Sequence, residues 1–329
     1  MRSRPPDRHR SGFVLVVVLG LVLLLSALLF GFHRMVLSSL DTVDTFLQFE
    51  QAWNCARAGL GIAVAAVRDA NDLSQNHRFA KLRTGSETFP VGKGTCSVTI
   101  KGESGRLNVN HLKNKEGQLD RTRIEQFLRL IDLVNRHRTG SKRIGYGIVP
   151  AIIDWIDTDD EVTHLPFVSG DNQGAESRHY ATLSPAYRCR NQPVAVIDEL
   201  QYVKGITPEA LNALGDFLTA TGDGRIDINT APNLVIHALA EEMDPLLTRM
   251  IVQRRNAKPF ADVAELKDVP GMTDNVYRTI VKTIAAGPAE RHYRVIAFGT
   301  VGNRTCRIEA LLRRNTQGGN VDVVLYRES

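Results

Sequence analysis

Phe13 to Phe32 reads FVLVVVLGLVLLLSALLFGF, twenty consecutive residues without a charge. At 1.5 Å per residue a helix of that length spans about 30 Å, the thickness of a bilayer's hydrocarbon core. A basic leader, Met1 to Gly12, precedes it directly, with Arg2, Arg4, Arg8 and Arg10 against Asp7 alone. Positive charge stays on the cytoplasmic side of a membrane. His33 and Arg34 on the far flank do not outweigh the leader. A single-pass anchor is therefore expected, its N-terminus cytoplasmic and its large C-terminal part outside the cytoplasm.

The apolar run meets no Ala-x-Ala cleavage pattern and no proline before Pro90. It passes into amphipathic sequence. Val36, Leu40, Val43 and Leu47 recur at helical spacing, beside a stripe of Phe46, Phe49, Trp53, Ala56, Leu60, Ala63 and Val67. The spacing predicts one helix from Phe13 to Asp69, with Asn71 and Asp72 as stop signals. Residues 34–67 must then lie on the chain's own sheet and on partner helices.

Two β regions flank a helical middle. Thr95–Lys101 and Arg106–Asn110 are strand-like, as are His292–Val301 and Arg304–Leu312 around a Gly302-Asn303 turn, and Val321–Tyr326. Within the middle, Glu199-Leu-x-x-Val-x-Gly205-Ile-Thr207 is repeated as Glu265-Leu-x-x-Val-x-Gly271-Met-Thr273. Each reads as a helix ending at glycine, a tight turn and a threonine N-cap, a helix-hairpin-helix. The expected fold class is α+β: a long N-terminal helix on a small antiparallel sheet, with a large inserted helical domain. The boundaries follow: leader 1–12, membrane segment 13–33, amphipathic helix and first strands 34–112, insertion 113–288, closing strands 289–329.

Helix-hairpin-helix units often hold nucleic acid, but composition argues otherwise here. Of the net charge of +5, +3 resides in the leader, leaving a nearly neutral body. The turns lack a second glycine, and Lys204, Arg249, Arg254, Arg255 and Lys258 are offset by Glu199, Glu209, Glu241, Glu242 and Asp244. A protein-packing module is expected, with no nucleic-acid partner. The histidines show no metal-ligand spacing, and Ser177, His179 and Asp154 lack a nucleophile elbow, so no enzyme is expected.

Residues 154–176 hold Asp154, Asp157, Asp159, Asp160, Glu161, Asp171 and Glu176, with no lysine or arginine. Crowded carboxylates suit calcium, although Val162 stands where an EF-hand needs glycine. A solvated loop of helix-capping aspartates fits the same residues. Cys96 and Cys306 fall on apolar faces of expected strands on either side of the insertion. A bond between them would tie early and late strands; four buried thiols (with Cys55 and Cys189) are equally compatible.

In order along the chain, several motifs resemble the type II secretion minor pseudopilin family, general secretion pathway protein K. They are Arg10-Ser11-Gly12 before Phe13, Glu103-Ser-Gly-Arg-Leu-Asn-Val-Asn110, Asp154-Trp-Ile-Asp-Thr-Asp-Asp160, Gly174-Ala-Glu176, Glu199 to Thr207, and Gly222-Asp-Gly-Arg-Ile-Asp-Ile-Asn-Thr-Ala-Pro232. The resemblance implies a prepilin that a membrane peptidase cuts after Gly12 and methylates at Phe13. It implies an anchor in a bacterial inner membrane with a periplasmic body, a cap for a periplasmic pseudopilus, two other minor pseudopilins beneath it, and contact with a secreted substrate or the outer-membrane channel. It also implies structural Ca²⁺, for which Asp157, Asp159, Asp160 and Glu176 are the candidates. The fifth residue after Gly12 is Val17, where the wider pilin class carries glutamate; a subunit lacking that carboxylate suits a tip. A membrane-anchored DNA receptor and a type IV pilus minor pilin are the alternatives.

Overall fold

The structure is a computed structural model and describes residues 8–69, 82, 85–114, 116–138, 142–286, 292–315 and 319–328. The stop signals expected at Asn71 and Asp72, and the expected boundary at 288/289, lie outside these residues.

One helix, α1 (Arg8–Asp69), accounts for the whole N-terminal stretch. Its 62 residues reach about 93 Å. It is long and apolar enough to cross a membrane, and its first residues fit a single-pass anchor. Only its last stretch, Ala52 to Val67, about four turns, lies on the chain itself. Ala52, Cys55, Ala56, Ala63 and Val67 are buried, whereas Met35, Val36, Leu37, Leu40, Val43, Phe46, Leu47 and Phe49 are exposed.

The helix rests on a five-stranded antiparallel sheet of β1 (Glu87–Val91), β2 (Gly94–Gly102), β7 (His292–Val301), β8 (Arg304–Arg314) and β9 (Val321–Glu328), in the order β1-β2-β7-β8-β9. Early and late strands thus become neighbours at β2 and β7, with the insertion looped out between them. Strand period two puts Val98, Ile100, Val295, Ala297, Ile308 and Ala310 on the face toward α1, all buried. β1 was not foreseen. It is an edge strand, which is why its Pro90, without an N–H to donate, is tolerated. The turn at Gly302 matches expectation: its φ of +55° is open to glycine, and it joins β7 to β8 with Val301 opposite Arg304.

The register corrects the expected cysteine pairing. Cys96 and Cys306 each sit opposite Gly299, on strands separated by β7. Two strand spacings put their Cα atoms about 9.5 Å apart, beyond the roughly 7 Å limit of a disulfide. All four cysteines are buried free thiols.

The insertion carries two apolar cores. The first gathers β3 (Leu107–Asn108), α2 (Arg121–His137), α3 (Ile148–Ile156), the short α4 (Ser177–Tyr180), a 3₁₀ turn (Ile197–Tyr202), α5 (Pro208–Leu214) and β4 (Leu218–Thr219), with Phe127, Ile131, Ile152 and Tyr180 fully buried. The second gathers β5 (Ile226–Asp227), α6 (Asn233–Ala238), α7 (Pro245–Ala257), a 3₁₀ turn (Val263–Asp268), α8 (Asp274–Ile280) and β6 (Ile284–Ala285) around Ile251, Phe260 and Leu266. The two repeated motifs occupy equivalent places in the two cores. In each, a 3₁₀ turn leads to a glycine at positive φ, Gly205 at +82° or Gly271 at +91°. The Thr207 or Thr273 hydroxyl then accepts a hydrogen bond from the N–H of Ala210 or Val276 and caps the next helix. The first arm of each motif is 3₁₀ rather than α.

Body and insertion meet at a buried ion cluster. Glu103, 2 % exposed, leaves the end of β2 and lies 2.9 Å from Arg106 and 3.0 Å from Arg294 of β7, and it accepts a 2.7 Å hydrogen bond from Thr219 of β4.

Candidate functional site

The acidic loop is held by one of the most deeply buried helices of the molecule. All nine residues of α3 are buried, so the chain must bring Asp154 inside and present Asp157 at the helix C-terminus. A returning segment closes over them, with Thr163 O accepting from Gly174 N at 2.9 Å and Asn172 O from Leu165 N at 3.0 Å. Gly174 has no side chain for a structural reason. A Cβ there would run into the Asp154 carboxylate and come 2.7 Å from Pro150 O. The segment ends at Glu176, which precedes α4 without capping it and turns its side chain inward.

The result is a carboxylate cluster. Asp157, Asp159 and Glu176 each offer an oxygen within 4.8 Å of the others. Glu176 is 3 % exposed, and neither of its carboxylate oxygens has a hydrogen-bond partner. Asp154 Oδ2 and Asp157 Oδ1 are likewise buried and unpartnered. Asp154 Oδ1 accepts from Thr163 N at 2.9 Å. Lys113 Nζ lies 2.8 Å from Asp157 Oδ2 and 3.7 Å from Asp159 Oδ2. Asn191 donates to the Asp159 carbonyl at 2.7 Å, pinning the loop from outside.

The electrostatics follow from burial and crowding. Loss of solvent, then repulsion from Asp154, Asp157, Asp160 and Asp159, pushes the Glu176 carboxyl up to about 8. Burial raises Asp157 to about 6, against the pull of Lys113 and with a further push from Asp159 and Asp154. Burial also raises Asp154. Four acidic groups around one ammonium crowd negative charge into a poorly solvated pocket, which protonation or a cation relieves. Three carboxylate oxygens within 4.8 Å of one another can share one ion, and hard oxygens alone suit calcium.

Of the four residues expected from the sequence, the structure brings Asp157, Asp159 and Glu176 together. Asp160 is exposed and outside that trio, although its charge is among those that repel Glu176. Two participants were missed. Asp154 looked like one more capping residue, although its place in the apolar run Ile148–Ile156 signalled burial. Lys113 lies 44 residues before Asp157, and no local pattern pairs them.

The comparisons with known proteins agree with one another. Family models described as type II secretion system protein K match residues 105–223 and 226–283, together more than half of the chain and nearly coincident with its two insertion cores. The type II secretion system protein K of Pseudomonas aeruginosa is 26 % identical over 324 residues, covering 94 % of this chain and 91 % of that one. That of Klebsiella pneumoniae is 26 % identical over 339 residues, covering 97 % and 96 %. Among solved structures, a chain of the GspK-GspI-GspJ complex from enterotoxigenic Escherichia coli superimposes with a TM-score of 0.66 at 19 % identity, over 88 % of this chain and 99 % of that one. With the rod-and-sheet body and the two-core insertion already in view, these matches establish that the chain belongs to the type II secretion system protein K family of minor pseudopilins.

Proposed function

We propose that this subunit caps the tip of a type II secretion pseudopilus, with its leader cytoplasmic and the body beyond Arg34 periplasmic. One observation carries the reading. The apolar stripe of α1 from Met35 to Phe49 emerges from the membrane segment and is exposed in the isolated chain, although the same helix is covered from Ala52 onward. Helices of similar build, packing alongside below the sheet, would bury it. The solved relative stands in a complex with GspI and GspJ; the corresponding minor pseudopilins are the partners proposed here. Val17 supports the top position, since it offers no carboxylate to a subunit above. The action is mechanical rather than enzymatic: the insertion, looped out of the sheet, presents its surface to a secreted substrate or the outer-membrane channel.

Two further parts belong to this reading. A prepilin peptidase cleaves after Gly12 and methylates the new amino group of Phe13. Asp157, Asp159 and Glu176, with Asp154 behind them, hold a structural Ca²⁺ that neutralises the cluster and locks the returning segment 163–176 onto α3.

Co-expression of the full-length chain with candidate minor pseudopilins tests the assembly. A stoichiometric complex is expected, and Val17→Glu is expected to move the subunit into the shaft of assembled filaments. Failure to copurify with any minor pseudopilin sinks the tip assignment. For the metal, calcium should raise the melting temperature over that in chelator, and Glu176→Gln should abolish the difference.

A further inference from the structure

We infer that Lys113 is a built-in competitor for the calcium site: its ammonium occupies the cluster when no metal is bound and must yield as the dication enters. The inference rests on the calcium reading above and assigns a residue that no acidic motif contains.

Lys113 is held in place rather than trailing in solvent. It lies just past the 3₁₀ turn Val109–His111, where its backbone bridges to Leu119. Asp120 N donates to Leu112 O at 2.9 Å, and the Asn114 side chain accepts from Glu116 N at 3.1 Å and Gln118 N at 2.8 Å. The side chain is four-fifths buried. From this anchored loop the ammonium reaches Asp157 Oδ2 and Asp159 Oδ2, two of the three residues whose oxygens converge. Asp157 Oδ1 and both Glu176 oxygens remain buried and unpartnered, which marks the side from which a metal is still wanted. Lys204, just past the 3₁₀ turn Ile197–Tyr202, donates its ammonium to the carbonyls of Gln173 and Gly174 on the returning segment.

One ammonium neutralises one charge of the cluster, and a dication approaching the same oxygens meets its repulsion at a few ångströms. Two consequences follow. The metal-free protein keeps the loop folded, because the buried charge of Asp157, and in part that of Asp159, is already paired. The site also fills only when calcium is abundant, because each binding event must loosen the contacts of Lys113 with Asp157 and Asp159.

The test uses the full-length chain in detergent, with Lys113→Met and Lys113→Arg beside the natural sequence. Melting temperatures are recorded in chelator and across a calcium titration, and affinity is read by calorimetry. Lys113→Met should melt lower in chelator yet bind calcium tighter by roughly tenfold or more, giving a larger calcium-induced rise. Lys113→Arg should keep the natural affinity. If Lys113→Met fails to fold in chelator, refolding it in calcium gives the midpoint of rescue, which should lie below the calcium midpoint of the natural chain. Equal or weaker calcium binding by Lys113→Met overturns the competitor role and makes Lys113 an orienting partner of Asp157. Absence of any calcium response in both chains overturns the calcium reading itself, and this inference with it.

Discussion

Gly299 is the point where the long helix touches the sheet most closely. A Cβ at that position would collide with the Ala52 carbonyl and the Ala56 amide of α1 and come 3.0 Å from the carbonyl carbon of Cys55. Backbone atoms cannot move aside as a flexible side chain can. Gly299→Ala is therefore expected to lift the helix from β7 and cost about 2 kcal/mol or more, read as a lowered denaturation midpoint. The cysteines owe their state to the same contact: Cys96 and Cys306 are neighbours of Gly299 on opposite sides, close to the helix and too far from each other. His111 gives a pH dependence. Its imidazole is pressed against Gly224. Burial and the Arg123 guanidinium lower its pKa, against a hydrogen bond with Gly222 and the charges of Asp223 and Asp120. A histidine with a depressed folded-state pKa binds fewer protons than in the unfolded chain. Its contribution is present above the ordinary value near 6.5 and is lost as pH falls through it. Asp157, raised to about 6, works the other way over the same range, so the test is a difference: from pH 7 to 5.5 the melting temperature of His111→Gln should fall less, or rise more, than that of the natural chain. An equal change in the two chains would remove His111 from the account.

At the scale of elements, α1 divides by what covers it. Its residues from Ala52 to Val67 are mostly small where they face the sheet: Ala52, Ala56, Gly59 and Ala63 allow close approach, and a Cβ at Gly59 would stand 3.0 and 3.2 Å from Val98 and Ala297. The stripe Met35–Leu47 is made of large residues that the chain leaves exposed, whereas Phe49 already meets Trp53 edge-on. Changes there should separate folding from assembly. Phe46→Asp with Leu47→Asp is expected to leave the thermal midpoint within about 0.5 kcal/mol of the natural chain, as surface changes do, while abolishing copurification with other pseudopilins. A large loss of stability would mean that this stripe is covered within the chain after all. The two repeated motifs show the same division. Their glycines and capping threonines behave locally as read, yet their first arms are single 3₁₀ turns of six residues, Ile197–Tyr202 and Val263–Asp268, each followed by two residues and a positive-φ glycine.

For the whole molecule, the question is what keeps a looped-out insertion from swinging on its two connections. The Glu103 cluster answers it, with Arg106, Arg294 and Thr219 converging on one buried carboxylate, and Arg327 of β9 meeting Asp198 at 2.6 Å nearby. Glu103→Ala removes the buried carboxylate that Arg106 and Arg294 share and is expected to cost about 3–5 kcal/mol. Limited proteolysis should then cut the connections between body and insertion first, whereas the natural chain resists. This joint was partly legible. The motif Glu103–Asn110 stood out as a unit, but its partners Thr219 and Arg294 lie more than a hundred residues away.

The long rod, the strand alternation, the turn at Gly302, the capped repeats and the crowding of acid between 154 and 176 were all settled by local order. Each depends on the 1.5 Å rise, the two-residue strand period, positive φ or neighbouring charge, which a short window contains. Folding alone decided that β2 lies beside β7, that Cys96 and Cys306 are kept apart by one strand, that Asp154 rather than Asp160 backs the carboxylate cluster, and that Lys113 supplies its ammonium. These are contacts between residues distant along the chain, chosen by how the buried faces close on each other, and no local pattern encodes them.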